Sequence, residues 1–312
     1  MRKSVYLFLG LVFLCGCAGV STQTKEAPVV VSQAAVSDKC TATNVDYTLD
    51  EEKYKAIVLE NSLVRVLVIP DYGGRIVEYT LKATKHNQFD NTTGNPGLKD
   101  VVGEEGQSGY SAGGFAQLPF KPVLSEKSNE LSLNLEAASE SVKVEKIYTI
   151  TAGSTKLNIK VKYTNIGNEV IEKFMVRVHP CISTGGNQAV DDIFVIPEPD
   201  KIKKNTTDQL TIPDCGWWLA FDPKAKEMLL MTFDPAGVDK LYLYLGGDTY
   251  NMEYMGKPVD AKKGDSVALS ADYFILTDGG QIEKMLESGE VKALDKEKPR
   301  IGTEVKALFE NK

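Results

Sequence analysis

"KAIVLENSLVRVLVIPDYGGRIVEYTL", residues 55–81, alternates apolar and polar side chains through two interruptions, at Asn61-Ser62 and from Pro70 to Gly74. Alternation with period two marks a half-buried strand, and Asn, Pro, Asp and Gly are the residues that turns demand. The stretch therefore predicts three strands and two turns. Working outward, the same rule holds in short runs such as ELSLNLEAAS (130–139), VKVEKIYTIT (142–151), KLNIKVKYTNIG (156–167), EMLLMTFDP (227–235) and SVALSADYFILT (266–277). They are rich in β-branched and aromatic residues and are separated by Gly, Pro, Asn and Asp, which points to an all-β domain of large antiparallel sheets. Helix is expected at one place, GGQIEKMLESGEVKALDKE (279–297), where Ile282, Met285 and Leu286 recur at helical spacing. The charged tail from Pro299 is expected to be loosely held.

The chain divides into a leader (1–16), a tether (17–50), one β domain (51–280) and a C-terminal helix and tail (281–312). Arg2 and Lys3 precede an apolar run from Val5 to Leu14, too short for the ~20 residues that span a bilayer and suited to a secretory leader. Leu14-Cys15-Gly16-Cys17 looks like a bacterial lipoprotein box, with cleavage before Cys17 and lipid on that cysteine. The expectation is a domain lipid-anchored in the bacterial cell envelope, by way of the outer membrane or periplasm, and held in water by a Thr/Ser/Ala-rich tether. Losing Arg2 and Lys3 with the leader takes the net charge from −7 to −9. With no basic stripe, nucleic acid is not an expected partner.

Of the five cysteines, Cys15 leaves with the leader and Cys17 would carry the lipid, which leaves Cys40, Cys181 and Cys215. Cys181 with Cys215 is the favoured pair in an oxidising envelope, and three reduced thiols fit the sequence nearly as well. The two histidines, His86 and His179, lie too far apart for a zinc motif, so no metal is expected. Asn187, Asp191 and Asp192 offer oxygens to calcium, but a solvated turn is the favoured reading. Residues 91–120 are dense in glycine and read as one long loop, a lid or binding loop or else a disordered segment.

His179 closes the run EKFMVRVH, where alternation puts it with Arg177 and Met175, opposite Phe174, Val176 and Val178. On that open face it fits a proton carrier and equally an ordinary rim residue. Arg75, after two glycines, is either a ligand-binding guanidinium or a surface residue beside a positive-φ turn. Trp217 and Trp218 are adjacent, so one is expected in the core and the other on the outer face, free to stack on a ligand. His86 lies in a polar turn and is expected in solvent.

Three separated segments carry a resemblance. VLENSLVRVLVIPDYGGRIVEYTLKATKHNQF (58–89), VKYTNIGNEVIEKFMVRVHPCIS (161–183) and NMEYMGKPVDAKKGDSVALSADYFI (251–275) resemble, in that order, the opening, central and closing segments of galactose mutarotase-like (aldose 1-epimerase) proteins. The resemblance implies a β-supersandwich with a cleft across one face and a sugar or glycan end as ligand. It also implies aldose anomer interconversion with Glu253 as base and His179 as acid, with no cofactor. Arg75, Arg177, Trp217 and Trp218 are the expected sugar contacts. The chain departs from the catalytic pattern in having Gly73-Gly74-Arg75-Ile76 early and His179-Pro180-Cys181-Ile182-Ser183 around the histidine, which brings it nearer to secreted branches of the superfamily. A non-catalytic glycan-binding protein and a structural envelope lipoprotein are the alternatives.

Overall fold

The structure is a computed structural model that describes residues 39–91, 97–102, 115–186, 191–198, 201–205, 209–210, 215–246 and 249–310. The leader, Cys17, most of the tether and Asn187 lie outside these residues. Two large antiparallel sheets dominate. The ten-stranded first sheet runs β1 (Thr41–Leu49), β2 (Glu52–Glu60), β3 (Val64–Ile69), β4 (Arg75–Leu81), β6 (Leu98–Val102), β12 (Val176–Pro180), β19 (Thr249–Gly256), β18 (Val238–Gly246) and β15 (Gln209–Leu210), with β5 (His86–Asn87) on β4. The nine-stranded second sheet runs β14 (Ile202–Lys204), β13 (Ile193–Pro197), β16 (Trp217–Asp222), β17 (Glu227–Phe233), β21 (Ser266–Leu276), β10 (Leu157–Asn165), β9 (Val142–Thr151), β8 (Glu130–Ala138) and β7 (Lys121–Lys127). A ribbon of β11 (Ile171–Phe174) and β20 (Val259–Ala261) and two helices, α1 (Gln281–Glu287) and α2 (Lys298–Glu310), complete the described elements.

The three strands read in residues 55–81 are β2, β3 and β4, in register through Ile57↔Val68 and Val64↔Leu81. Asn61 makes the first turn: its Oδ1 accepts from the N–H groups of Leu63 and Val64, both at 2.8 Å. Its Nδ2 donates to the carbonyls of Thr151 and Ser154, at 2.6 and 2.8 Å, tying this turn to the second sheet. The other turn needs two left-handed residues, Gly73 (φ 71°) and Gly74 (φ 58°). A Cβ on Gly73 would fall 2.4 Å from the Ala116 carbonyl oxygen, so glycine is required there by space as well as by conformation.

The alternation of β9 and β10 is that of half-buried strands, with Leu157, Ile159, Val161 and Tyr163 inward. Their inner faces meet Val66, Val68, Tyr79, Val176 and Val178 in one apolar core between the sheets. At its β1–β4 end the first sheet is buried on both faces: Ala56, Val58, Leu67, Ile69 and Val77 form a second, smaller cluster beneath Tyr47, Tyr54 and Tyr72.

Four expectations need correction. Residues 41–49, assigned to the tether, form β1, paired with β2 along its whole length. The 91–120 stretch is not one loop, because Leu98–Val102 is β6 in the middle of the first sheet; residues 103–114 lie outside the described part. No disulfide joins Cys181 to Cys215; both are buried thiols. The tail from Pro299 is α2, whose Ile301, Val305 and Leu308 are buried at i, i+4, i+7. Abundant charge hides that stripe in the sequence, and Pro299 is tolerated because it sits in the first turn.

The tail therefore contributes to stability. Ile301→Ala is expected to cost about 2–5 kcal/mol in urea denaturation, the range for truncating a buried Ile, whereas a loosely held tail would give no change. Gly73→Ala is expected to lower the urea midpoint, with at least ~1–2 kcal/mol from the left-handed backbone alone.

Candidate functional site

Strands β12 and β19 are neighbours, in register through Arg177↔Met255 and Val178↔Tyr254. One step further the register sets His179 across from Glu253, and alternation puts Arg177, His179 and Glu253 on the face away from the inter-sheet core. Residues 74 positions apart are thereby brought side by side. His179 Nε2 lies 3.1 Å from Glu253 Oε1, and Arg177 Nε donates to Glu253 Oε2. Cys181 Sγ is 3.9 Å from His179 Nδ1.

This face was expected to be open, and it is closed. His179 and Glu253 have no exposed surface and Arg177 is 4% exposed. A carboxylate withdrawn from water in this way is tolerated only with a charged, hydrogen-bonding partner, which the Arg177 guanidinium supplies at Oε2, while the imidazole lies close to Oε1. The pair is chemically competent for proton transfer: an acceptor and a donor-capable ring lie within hydrogen-bond reach in a water-poor setting.

Arg75 begins β4, two strands from β12, and is 2% exposed. Its Nη2 donates to the Ala116 carbonyl at 3.2 Å and its guanidinium lies 4.1 Å from the centroid of the Tyr72 ring. Both readings offered for it assumed an accessible side chain; it is instead a buried cation braced by a carbonyl and an aromatic face.

The tryptophans correct a second expectation. Trp217 and Trp218 are both fully buried, so neither is free to stack on a sugar. Trp218 points into the sandwich, with Nε1 3.2 Å from Met231 Sδ. Trp217 points outward but donates to Glu297 Oε2 at 2.8 Å, ahead of α2, while Phe221 on the same strand face meets Phe309 of α2. The helical tail covers the surface on which the outward tryptophan would have been exposed. His86 is also less exposed than expected: Nδ1 lies 2.9 Å from Glu227 Oε1, a fully buried carboxylate.

One buried cation was missed. Lys146, 1% exposed, donates from Nζ to the Gly73 carbonyl at 2.6 Å, and Tyr148 donates to the Gly74 carbonyl at 2.8 Å. Together they hold the turn that delivers Arg75. The signal was present in VKVEKIYTIT, where Lys146 falls among Val144, Tyr148 and Ile150 on the apolar face.

A separate cleft of about 720 Å³ opens on the outer face of the second sheet, lined by Ser132, Asn134, Thr149, Asn158 and Asp272 among others. Of its acids, the buried Asp272 is engaged: it accepts from Asn158 Nδ2 at 2.6 Å and pairs with Lys156 Nζ at 3.0 Å. The histidine and its glutamate are not part of it.

No protein-family model and no curated protein matches the sequence. Solved structures do match in fold. Galactose 1-epimerase from Lactobacillus acidophilus superposes with a TM-score of 0.58 at 12% identity, over 76% of this chain and 99% of that one. A galactose mutarotase-like protein from Clostridium acetobutylicum gives 0.58 at 9% identity, over 75% and 98%. A TPR-domain-containing protein from Parabacteroides distasonis gives 0.57 at 12% identity over 76% of this chain, which spans only 55% of that protein. At these identities the likeness is one of architecture: the chain has the galactose mutarotase-like β-sandwich fold.

Proposed function

We propose that the protein is a lipid-anchored envelope protein that binds a sugar or glycan end at Arg177, His179 and Glu253 and interconverts its anomers. The observation that carries this reading is the 3.1 Å approach of His179 to Glu253, across adjacent strands of a fold shared with a galactose 1-epimerase. Anchoring through Cys17 rests on the leader pattern Leu14-Cys15-Gly16-Cys17.

The chemistry needs one base and one acid. Glu253 removes the proton from the C1 hydroxyl while His179, carrying a proton, gives it to the ring oxygen. The C1–O5 bond breaks, the open-chain aldehyde rotates about C1–C2, and the reverse transfers close the ring on either face. The two oxygens are both bonded to C1 of the same sugar, so neighbouring strands supply a suitable span. Arg177 positions the Glu253 carboxylate. No cofactor enters the steps.

A second reading, binding without turnover, is favoured by the burial of all three groups. A sugar must part His179 from Glu253 to lie between them, and a network that stays closed would confine the ligand to its rim.

Saturation transfer between the α and β anomers of a monosaccharide panel separates the two. With the wild-type protein, exchange faster than the buffer rate is expected on at least one sugar, and Glu253→Gln and His179→Ala are each expected to lower it by ~10²-fold or more. Sugar binding with unaccelerated exchange would leave the binding-only reading. Arg177→Met is expected to destabilise the fold by about 3–5 kcal/mol in urea denaturation, because it deprives a buried carboxylate of its cation.

A further inference from the structure

Strands β13 and β16 pair through Ile193↔Phe221 and Phe194↔Ala220. Extending that register by one residue sets Asp192 opposite Asp222, at the end of the second sheet. Two carboxylates directly across a strand pair repel each other, and burial removes the water that would screen them. Asp192 is 6% exposed and Asp222 fully buried. Asp191, exposed, brings a third carboxylate, and one oxygen from each of the three lies within 4.8 Å of the others.

The three differ in what satisfies them. Asp222 Oδ1 accepts from the backbone N–H groups of Lys224 and Ala225, at 2.7 and 2.8 Å, which fixes the carboxylate at the head of its hairpin. Neither oxygen of Asp192 has a hydrogen-bond partner among the described residues, and no described lysine or arginine pairs with it. Backbone also crowds the spot: Gly185 takes φ 73°, and a Cβ there would fall 2.3 Å from Asp222 Oδ2. Beside it, the buried Oγ1 of Thr184 is likewise without a partner among the described residues. The three carboxylates are thus already assembled, with Asp192 the member that no described group satisfies.

We infer that Asp191, Asp192 and Asp222 form a binding site for a hard divalent cation of the calcium class. All the donors are carboxylate oxygens, which suit calcium, magnesium or manganese and not the softer zinc or copper. The number of carboxylates favours calcium, which accepts about six to eight oxygens in a tolerant geometry, whereas magnesium keeps several of its waters and is usually held by one or two carboxylates. Water and backbone carbonyls would complete calcium's roughly six to eight oxygens. The ion would pin the start of β13 to the β16–β17 hairpin and to the turn Thr184–Gly186, which follows the strand that carries His179.

The test is calorimetric titration of the chelator-stripped, purified protein with calcium chloride, alongside thermal melts with and without the ion. A saturable single-site heat and a raised Tm are expected, with a weaker response to magnesium. Asp192→Asn is expected to abolish both, and Asp191→Asn to weaken calcium binding by roughly tenfold or more, since affinity follows the number of charged ligands. No heat and no change in Tm up to ~10 mM calcium, beyond the weakest range of natural calcium modules, would overturn the inference. So would calcium binding that both variants leave intact, which would place the ion elsewhere. Should Asp192→Asn fail to fold, the exposed Asp191→Asn decides the outcome by itself.

Discussion

The pairing of β12 with β19 is the contact on which the first sheet depends. Strands β1 to β6 come from the N-terminal third of the domain, and β15, β18 and β19 from its C-terminal half. A single central strand of five residues, β12, hydrogen-bonds β6 on one side and β19 on the other. Without it the ten-stranded sheet would fall into two pieces, each with a long exposed edge. The residues of the proposed proton-transfer site, His179, Arg177 and Glu253, stand on the outer face of that junction. A rigid junction suits a proton-transfer pair, whose span must be held to a fraction of an ångström.

Many polar groups of the described residues are buried, and in most cases the reason is local. Lys146, Tyr148 and Asn61 each end at backbone carbonyls that the turns leave without strand partners, so every burial of a donor satisfies an acceptor. Arg177 and Glu253 neutralise each other, and Glu227 takes His86 and Gln88. Asp192 departs from this pattern, lying at a sheet end where carboxylates outnumber cations.

Much of this was legible in residue order. Period-two alternation in residues 55–81 and in the later runs specified strands, because in a pleated chain one face meets the core and the other does not. The galactose mutarotase-like architecture followed from the order of three segments. Strand β6 was hidden in a glycine-rich stretch, and α2 among charges, because a central strand of five residues and a three-residue apolar stripe are too short to stand out from their surroundings. Lys146 was readable as a cation on an apolar face, but its carbonyl partner belongs to a turn in the other sheet.

What the sequence by itself determined is therefore the repeating local choice, strand or turn, inward or outward, since steric alternation and turn conformation depend on near neighbours. What the tertiary structure alone decided is which distant residues share a site and which outward faces remain open. His179 meets Glu253, and Asp192 meets Asp222, only through strand register. Trp217 is withdrawn from solvent by a helix that begins 81 positions later, at Lys298. Burial and pairing of this kind are set by packing between segments, and no local pattern encodes the partner.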